Sequence, residues 1–275
     1  MADVVNKIKK SLTSAAWFGL VMVVLYFVGR YVADDAYSSI RTSDVSGCDL
    51  ESVKVSKDID NMKVVYKGFT VYFNSKYHVP NCVIYELTDE ETGGKIPRYK
   101  NFLVDEQVHG CAEPQDYTHS GYTRGHMAPA ADMKWDRDAM KESFYMTNIC
   151  PQKSSLNSGG WSKLEDKVRD WARRDSAIVI AAGPIFSSDM KTIGKSHVVV
   201  PERFYKVVLA PFATPMRAIG FIYPNGSSKG PIKNYAVTVD EVETLTGLDF
   251  FHELDDDVEN SIESSFNLLQ WDITR

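Results

Sequence analysis

The chain has 275 residues, 44% of them hydrophobic and 25% charged, a balance that suits one large globular domain plus an extra segment. Its formal net charge of −6 argues against affinity for a polyanion through overall positive charge, so a nucleic-acid role would need a local positive groove. No internal repeat or low-complexity tract is present. The four cysteines, Cys48, Cys82, Cys111 and Cys150, show no C-x-x-C spacing for zinc or thiol redox work.

At the N-terminus, Lys7, Lys9 and Lys10 form a short basic segment (residues 1–13) ahead of an apolar run from Ala15 to Val28 that carries no charge; Asp34 and Asp35 follow. Basic residues before and acidic residues after such a run place the N-terminus inside and send the remainder across a membrane. Residues 14–33 are expected to form a hydrophobic helix, either a cleaved signal or an anchor with Arg30 snorkelling. The expected location is therefore outside the cytoplasm, as a membrane-anchored, secreted or periplasmic protein. With export implied, the four cysteines are expected to form two disulfides, free buried thiols being the alternative.

Residues 34–60 are polar and acidic and read as a linker, and the main domain is expected over 61–275. Val64–Tyr66, Thr70–Phe73 and Val83–Tyr85 are short β-branched and aromatic runs separated by Gly, Asn or Pro, the pattern of strands. Trp161, Leu164, Val168 and Trp171 recur at helical spacing and predict an amphipathic helix over Trp161–Arg174, with both tryptophans in the core. Ala177–Ala182, Phe204–Leu209 and Ala218–Tyr223 predict further strands, and Thr238–Leu245 and Asp255–Ser265 short helices. Strands and helices without regular βαβ alternation indicate an α+β, mixed fold. The acidic excess collects between Asp240 and Glu263, whereas the stretch from Arg124 to Arg174 is slightly basic.

The densest chemistry lies between Tyr122 and Glu165. His126 can accept a proton from water near neutral pH, and Arg124, two residues earlier, shares its side of an extended strand and could grip a phosphate. Asn157 and Glu165 are candidates to hold a hard divalent ion that offsets charge on a leaving oxygen. In a wholly helical segment their eight-residue separation spans about 12 Å, so the ion would be held by Asn157 and water, with Glu165 orienting one of the waters. Blander readings exist: Ser162 to Glu165 is a capping-box pattern, Asn148 could be a turn residue, and Asn157 a helix cap.

Taken together, Arg124-Gly125-His126 with Met127-Ala128-Pro129-Ala130, Thr147-Asn148-Ile149 with Pro151-Gln152, Leu156-Asn157, and Trp161 with Leu164-Glu165 resemble the DNA/RNA non-specific endonuclease family, a branch of the ββα-metal or His-Me finger nucleases. The resemblance implies a mainly antiparallel sheet with helices and a ββα-metal finger carrying the active site. It implies His126 as general base, Asn157 as direct magnesium ligand (manganese being possible), Glu165 as a metal partner through water, and Arg124 and Asn148 as active-site support. Arg98 and Arg169 fall where family members carry phosphate-contacting arginines. Thr123 departs from the Asp that the family usually places before Arg-Gly-His, which puts a supporting contact in doubt.

The expected function is magnesium-dependent hydrolysis of DNA and RNA with low sequence specificity, leaving 5′-phosphates; monomer and homodimer both stay open. The alternatives are a catalytically weakened surface protein that binds nucleic acid to aid uptake, and a membrane-anchored interaction protein using the acidic region.

Overall fold

The computed structural model of the protein describes residue 45 and residues 47–274, so the N-terminal apolar run lies outside the described residues. Among those described, no helix is long and apolar enough to cross a membrane. A compact unit spans Cys48–Arg275. Its lead-in is tied down: β1 (Lys54–Val55) pairs with β13 (Leu248–Asp249), and the Val53 amide donates to the Tyr72 hydroxyl at 2.9 Å.

The frame is a seven-stranded sheet in the order β12-β11-β10-β7-β4-β3-β2, antiparallel at every pairing. In chain order these strands are β2 (Met62–Val65), β3 (Thr70–Asn74), β4 (Val79–Thr88), β7 (Ala177–Ile185), β10 (Arg203–Ala210), β11 (Arg217–Pro224) and β12 (Ala236–Val237). All nine residues of β7 are buried, which explains why it reads as an unbroken apolar run: a central strand covered on both faces has no polar side to display.

The mixed, antiparallel α+β character matches the expectation. Among the described residues the α-helices are α1 (Asp89–Thr92), α2 (Arg137–Glu142), α3 (Ser162–Asp175), α4 (Val239–Thr246) and α5 (Asp256–Glu263). Trp161 and the α3 residues Leu164, Val168 and Trp171 are buried, as their spacing predicts. Trp171 stacks on Phe221 at 6.0 Å between ring centroids, and Trp161 meets the edge of Tyr223 at 6.3 Å, so α3 and its lead-in sit on the sheet through aromatic contacts.

Apart from the large sheet, β5 (Thr123–His126) and β6 (Ile149–Gln152) form a two-stranded antiparallel ladder pairing His126 with Ile149. A second small ladder joins β8 (Lys191–Ile193) to β9 (Val198–Val200).

The expected disulfides are not formed. Cys48, Cys82, Cys111 and Cys150 are all free thiols. Cys82 and Cys150 are fully buried, and burial raises both thiols above the ordinary cysteine range, Cys82 to about 12. They pack as small apolar side chains instead.

Candidate active site

Between β6 and α3 the chain does not run as a regular α-helix. Leu156–Trp161 forms a π-helical turn with Gly159 outside helical geometry (φ −117°, ψ −111°) before α3 begins. The turn changes the geometry assumed for a straight helix, because a wider coil and a kink alter both the rise and the direction of side chains. Asn157 and Glu165 consequently line one pocket, together with Arg98, His126, Pro129, Ala130, Ala131, Ser158 and Ser162. The capping-box reading of Glu165 does not hold. The chain enters α3 already coiled at Trp161, and no side chain caps that end.

His126 ends β5. Its ring packs edge-on against Phe144, with centroids 5.0 Å apart, and against Phe102 at 5.4 Å, and its buried Nε2 has no hydrogen-bond partner among the described residues. Burial first, and the Arg98 guanidinium second, lower its pKa to about 3, so the imidazole is neutral and able to accept a proton. Arg98 is exposed, and its guanidinium carbon lies 5.0 Å from the centroid of the same Phe144 ring.

Asn157 is held by the residue that departs from the family pattern. Its Nδ2 donates to Thr123 Oγ1 at 2.9 Å, and Thr123 Oγ1 donates to the Gln152 carbonyl at 2.9 Å. With the nitrogen engaged there, Oδ1 is left as the acceptor.

Asn148 does not line the pocket. It is fully buried, its Oδ1 accepting from the Ala128 amide at 2.9 Å and its Nδ2 donating to the carbonyls of Ala128 at 2.9 Å and Ser143 at 2.8 Å. It braces the chain leaving His126. Arg124 is likewise outside the pocket lining: its Nε donates to the Pro114 carbonyl at 3.2 Å, and its guanidinium lies 5.3 Å from the centroid of Phe102, the ring that also touches His126. The two side chains share a side, as the strand predicts, but Arg124 is already bonded.

Arg169, one turn beyond Glu165 on α3, pairs with Asp132 at 2.7 Å and Asp166 at 2.5 Å. Asp132 is fully buried and also accepts from the Tyr85 hydroxyl at 2.8 Å. Beside this set lies Lys206, fully buried in β10, with its Nζ unpartnered and 4.7 Å from the centroid of Trp161. Burial raises the carboxyl of Glu165, opposed by Lys206 and reinforced by Asp132; the same burial lowers Lys206. Asp132, Tyr85 and Lys206 were not among the residues singled out from the sequence. A lysine inside the otherwise apolar run Phe204–Leu209 is the signal that could have found one of them.

Residues 47–257 match the DNA/RNA non-specific endonuclease family. The chain belongs to that family. It is 32% identical over 209 residues to the mouse (Mus musculus) mitochondrial nuclease EXOG, covering 69% of this chain and 57% of that one. It is also 32% identical over 184 residues to human (Homo sapiens) mitochondrial endonuclease G, covering 61% and 62%. The chain thus matches less than two thirds of the length of either relative. A solved structure of the EndoG/EndoGI complex aligns with a TM-score of 0.67 and 28% identity, covering 71% of this chain and 87% of that one.

These relatives correct one expectation. Both are mitochondrial nucleases, against the expectation of a secreted or outward-facing family member. The physical reason for the error is plain: lysines before an apolar run orient a segment at a membrane without saying which membrane.

The pocket's donors fit the divalent metal that the family uses. An amide oxygen and a carboxylate are hard ligands, sparse enough for an ion that keeps much of its water, and no described residue hydrogen-bonds Glu165.

Proposed function

We propose that the chain is a magnesium-dependent endonuclease that hydrolyses phosphodiester bonds of DNA and RNA with low sequence specificity, and that it acts in mitochondria like the relatives it resembles. The observation that carries this reading is one pocket shared by the unpartnered Nε2 of His126, Asn157, Glu165 and the exposed Arg98.

Arg98 draws the phosphate toward His126, and the phosphate's charge offsets the guanidinium that disfavours a protonated imidazole. His126 Nε2 then takes the proton of the attacking water. Asn157 and Glu165 would hold magnesium, or manganese in its place, and the ion would offset charge on the leaving 3′ oxygen, so that the phosphate would stay on the 5′ end of the downstream fragment. Thr123 aims Asn157, Asn148 braces the backbone beyond His126, and Arg124 adds positive charge beside it, while the charge of Arg169 is balanced by Asp132 and Asp166 and serves to hold that set in place. The β5–β6 ladder with α3 is, in this reading, the ββα-metal unit. Contacts to phosphate and sugar rather than base edges account for low specificity.

The test is cleavage of plasmid DNA and structured RNA by the parent, His126→Ala and Asn157→Ala, with magnesium and with chelator. The parent is expected to cut both, chelator to stop it, and each variant to lose about 10²-fold or more. Binding without cutting would instead establish a nucleic-acid-binding protein. A fluorescent fusion that fails to co-localise with mitochondria would remove the location from the proposal.

A further inference from the structure

The C-terminal acidic concentration takes a definite form on the side of the fold where α4 and α5 lie against β11. Asp240 and Glu243, three residues apart on α4, share one side of that helix, and Glu263 closes α5. One carboxylate oxygen from each lies within 4.8 Å of the other two.

An acidic cluster alone says little, since exposed carboxylates often gather without consequence. Here one member is not exposed. Glu263 is 5% accessible, and its Oε1, sealed from solvent, has no hydrogen-bond partner among the described residues. A buried carboxylate without a donor is costly, and two like-charged neighbours raise the cost. Asp249 and Glu259 add negative charge to the same region, while Lys54 is engaged by Asp249 at 3.5 Å and His252 Nε2 sits 3.2 Å from Ser52 Oγ. Glu243 accepts the Phe250 amide through Oε1 at 2.7 Å, which leaves its second oxygen open. Among the described residues, no cation pairs with Asp240, Glu243 or Glu263.

From this geometry we infer that Asp240, Glu243 and Glu263 form a second divalent-cation site, suited to calcium, that joins α4 to α5 away from the active-site pocket. Calcium takes oxygen ligands at about 2.3–2.6 Å, so two ligands of one ion can stand about 5 Å apart; magnesium, at about 2.1 Å, allows only about 4 Å. The three oxygens, each within 4.8 Å of the others, fall inside that wider reach, and calcium's tolerance of irregular oxygen shells of about six to eight ligands favours it over magnesium. Asp240 is exposed and leaves that side open for waters to complete the shell.

The experiment is thermal unfolding of chelator-treated full-length protein against calcium at constant ionic strength, for the parent, Glu263→Gln, Asp240→Asn and Asn157→Ala. Calcium at about a hundred times its Kd is expected to raise the parent midpoint by about 5 °C or more. Asn157→Ala, altered only in the other pocket, should show the same rise. Glu263→Gln should lose most of it, and Asp240→Asn, at an exposed position where folding is not at issue, should need about tenfold more calcium. Glu263→Gln should cleave nucleic acid like the parent under magnesium. The inference is overturned if calcium leaves the parent midpoint unchanged, if Glu263→Gln and Asp240→Asn both respond as the parent does, or if the response disappears in Asn157→Ala. It is also overturned if Glu263→Gln melts higher than the calcium-free parent while calcium is inert, because a shared proton then neutralises the cluster.

Discussion

Thr123 shows how a single side chain can keep a role through a different chemistry. Where the family usually carries a carboxylate, this hydroxyl accepts from Asn157 Nδ2 and donates to the Gln152 carbonyl, so the amide stays oriented with one less negative charge near the pocket. Thr123→Val is therefore expected to raise the magnesium concentration for half-maximal cleavage by about tenfold, while Thr123→Asp stays near the parent; a metal titration of activity decides it. His126 carries a second prediction. Its folded pKa is lowered from 6.5 to about 3 by burial and Arg98, so below 6.5 the unfolded chain takes up a proton that the folded one refuses. Stability from this group is complete above 6.5 and is lost as pH falls toward 3, by about 2 kcal/mol at pH 5. His126→Asn, which does not titrate, should lose about 2 kcal/mol less than the parent between pH 7 and pH 5 in urea unfolding.

At the scale of elements, the β5–β6 ladder sets Gly125 directly opposite Cys150, and a Cβ on Gly125 would collide with the side chain of Gln152. Gln152 is fully buried, and the collision involves its Cβ as well as its amide group, so a rotation of the side-chain end alone does not relieve it. The glycine of Arg-Gly-His thus answers to a close approach between strands. Gly125→Ala is expected to destabilise the protein by about 1–3 kcal/mol and to reduce cleavage by displacing His126; guanidinium unfolding and turnover of the same preparation would show both effects. Helix α3 was legible because a helix with one apolar side writes its period into the chain, and Trp161, Leu164, Val168 and Trp171 all bury as that period requires. The π-helical turn before it was not legible. Leu156–Trp161 contains two glycines whose identity permits many backbone paths, and the path taken depends on contacts such as Gly160 N–H donating to Ser228 Oγ at 3.1 Å, 68 residues away.

For the whole molecule, the four free thiols predict that stability owes nothing to cross-links. Adding reductant should leave the thermal midpoint unchanged, whereas a fall of several degrees would reveal a disulfide and restore the reading of an exported chain. The fold instead depends on the sheet and on the polar set beneath α3. Asp132, Tyr85 and Arg169 form a satisfied buried group, and Lys206 lies beside it without a hydrogen bond. Removing one partner of a buried pair strands the other charge, so Asp132→Ala is expected to cost about 3–5 kcal/mol, measurable by chemical denaturation.

The sequence by itself determined the family motifs, the central strands and α3, and it supplied His126, Arg98, Asn157 and Glu165 as chemistry-bearing residues without saying that they meet, because motif spacing, apolar period and side-chain chemistry are local properties of the chain. Only the tertiary structure decided that Arg124 is tied to Pro114, that Arg169 is paired with Asp132, and that Lys206, Asp132 and Tyr85 lie near Glu165. The first of these joins β5 to a turn ten residues upstream, and the others join β4, β10, α3 and the loop after β5, segments far apart in the chain; no local pattern encodes which of them meet. The same limit hid the turn that brings Asn157 and Glu165 into one pocket, because its path is set by what packs around it.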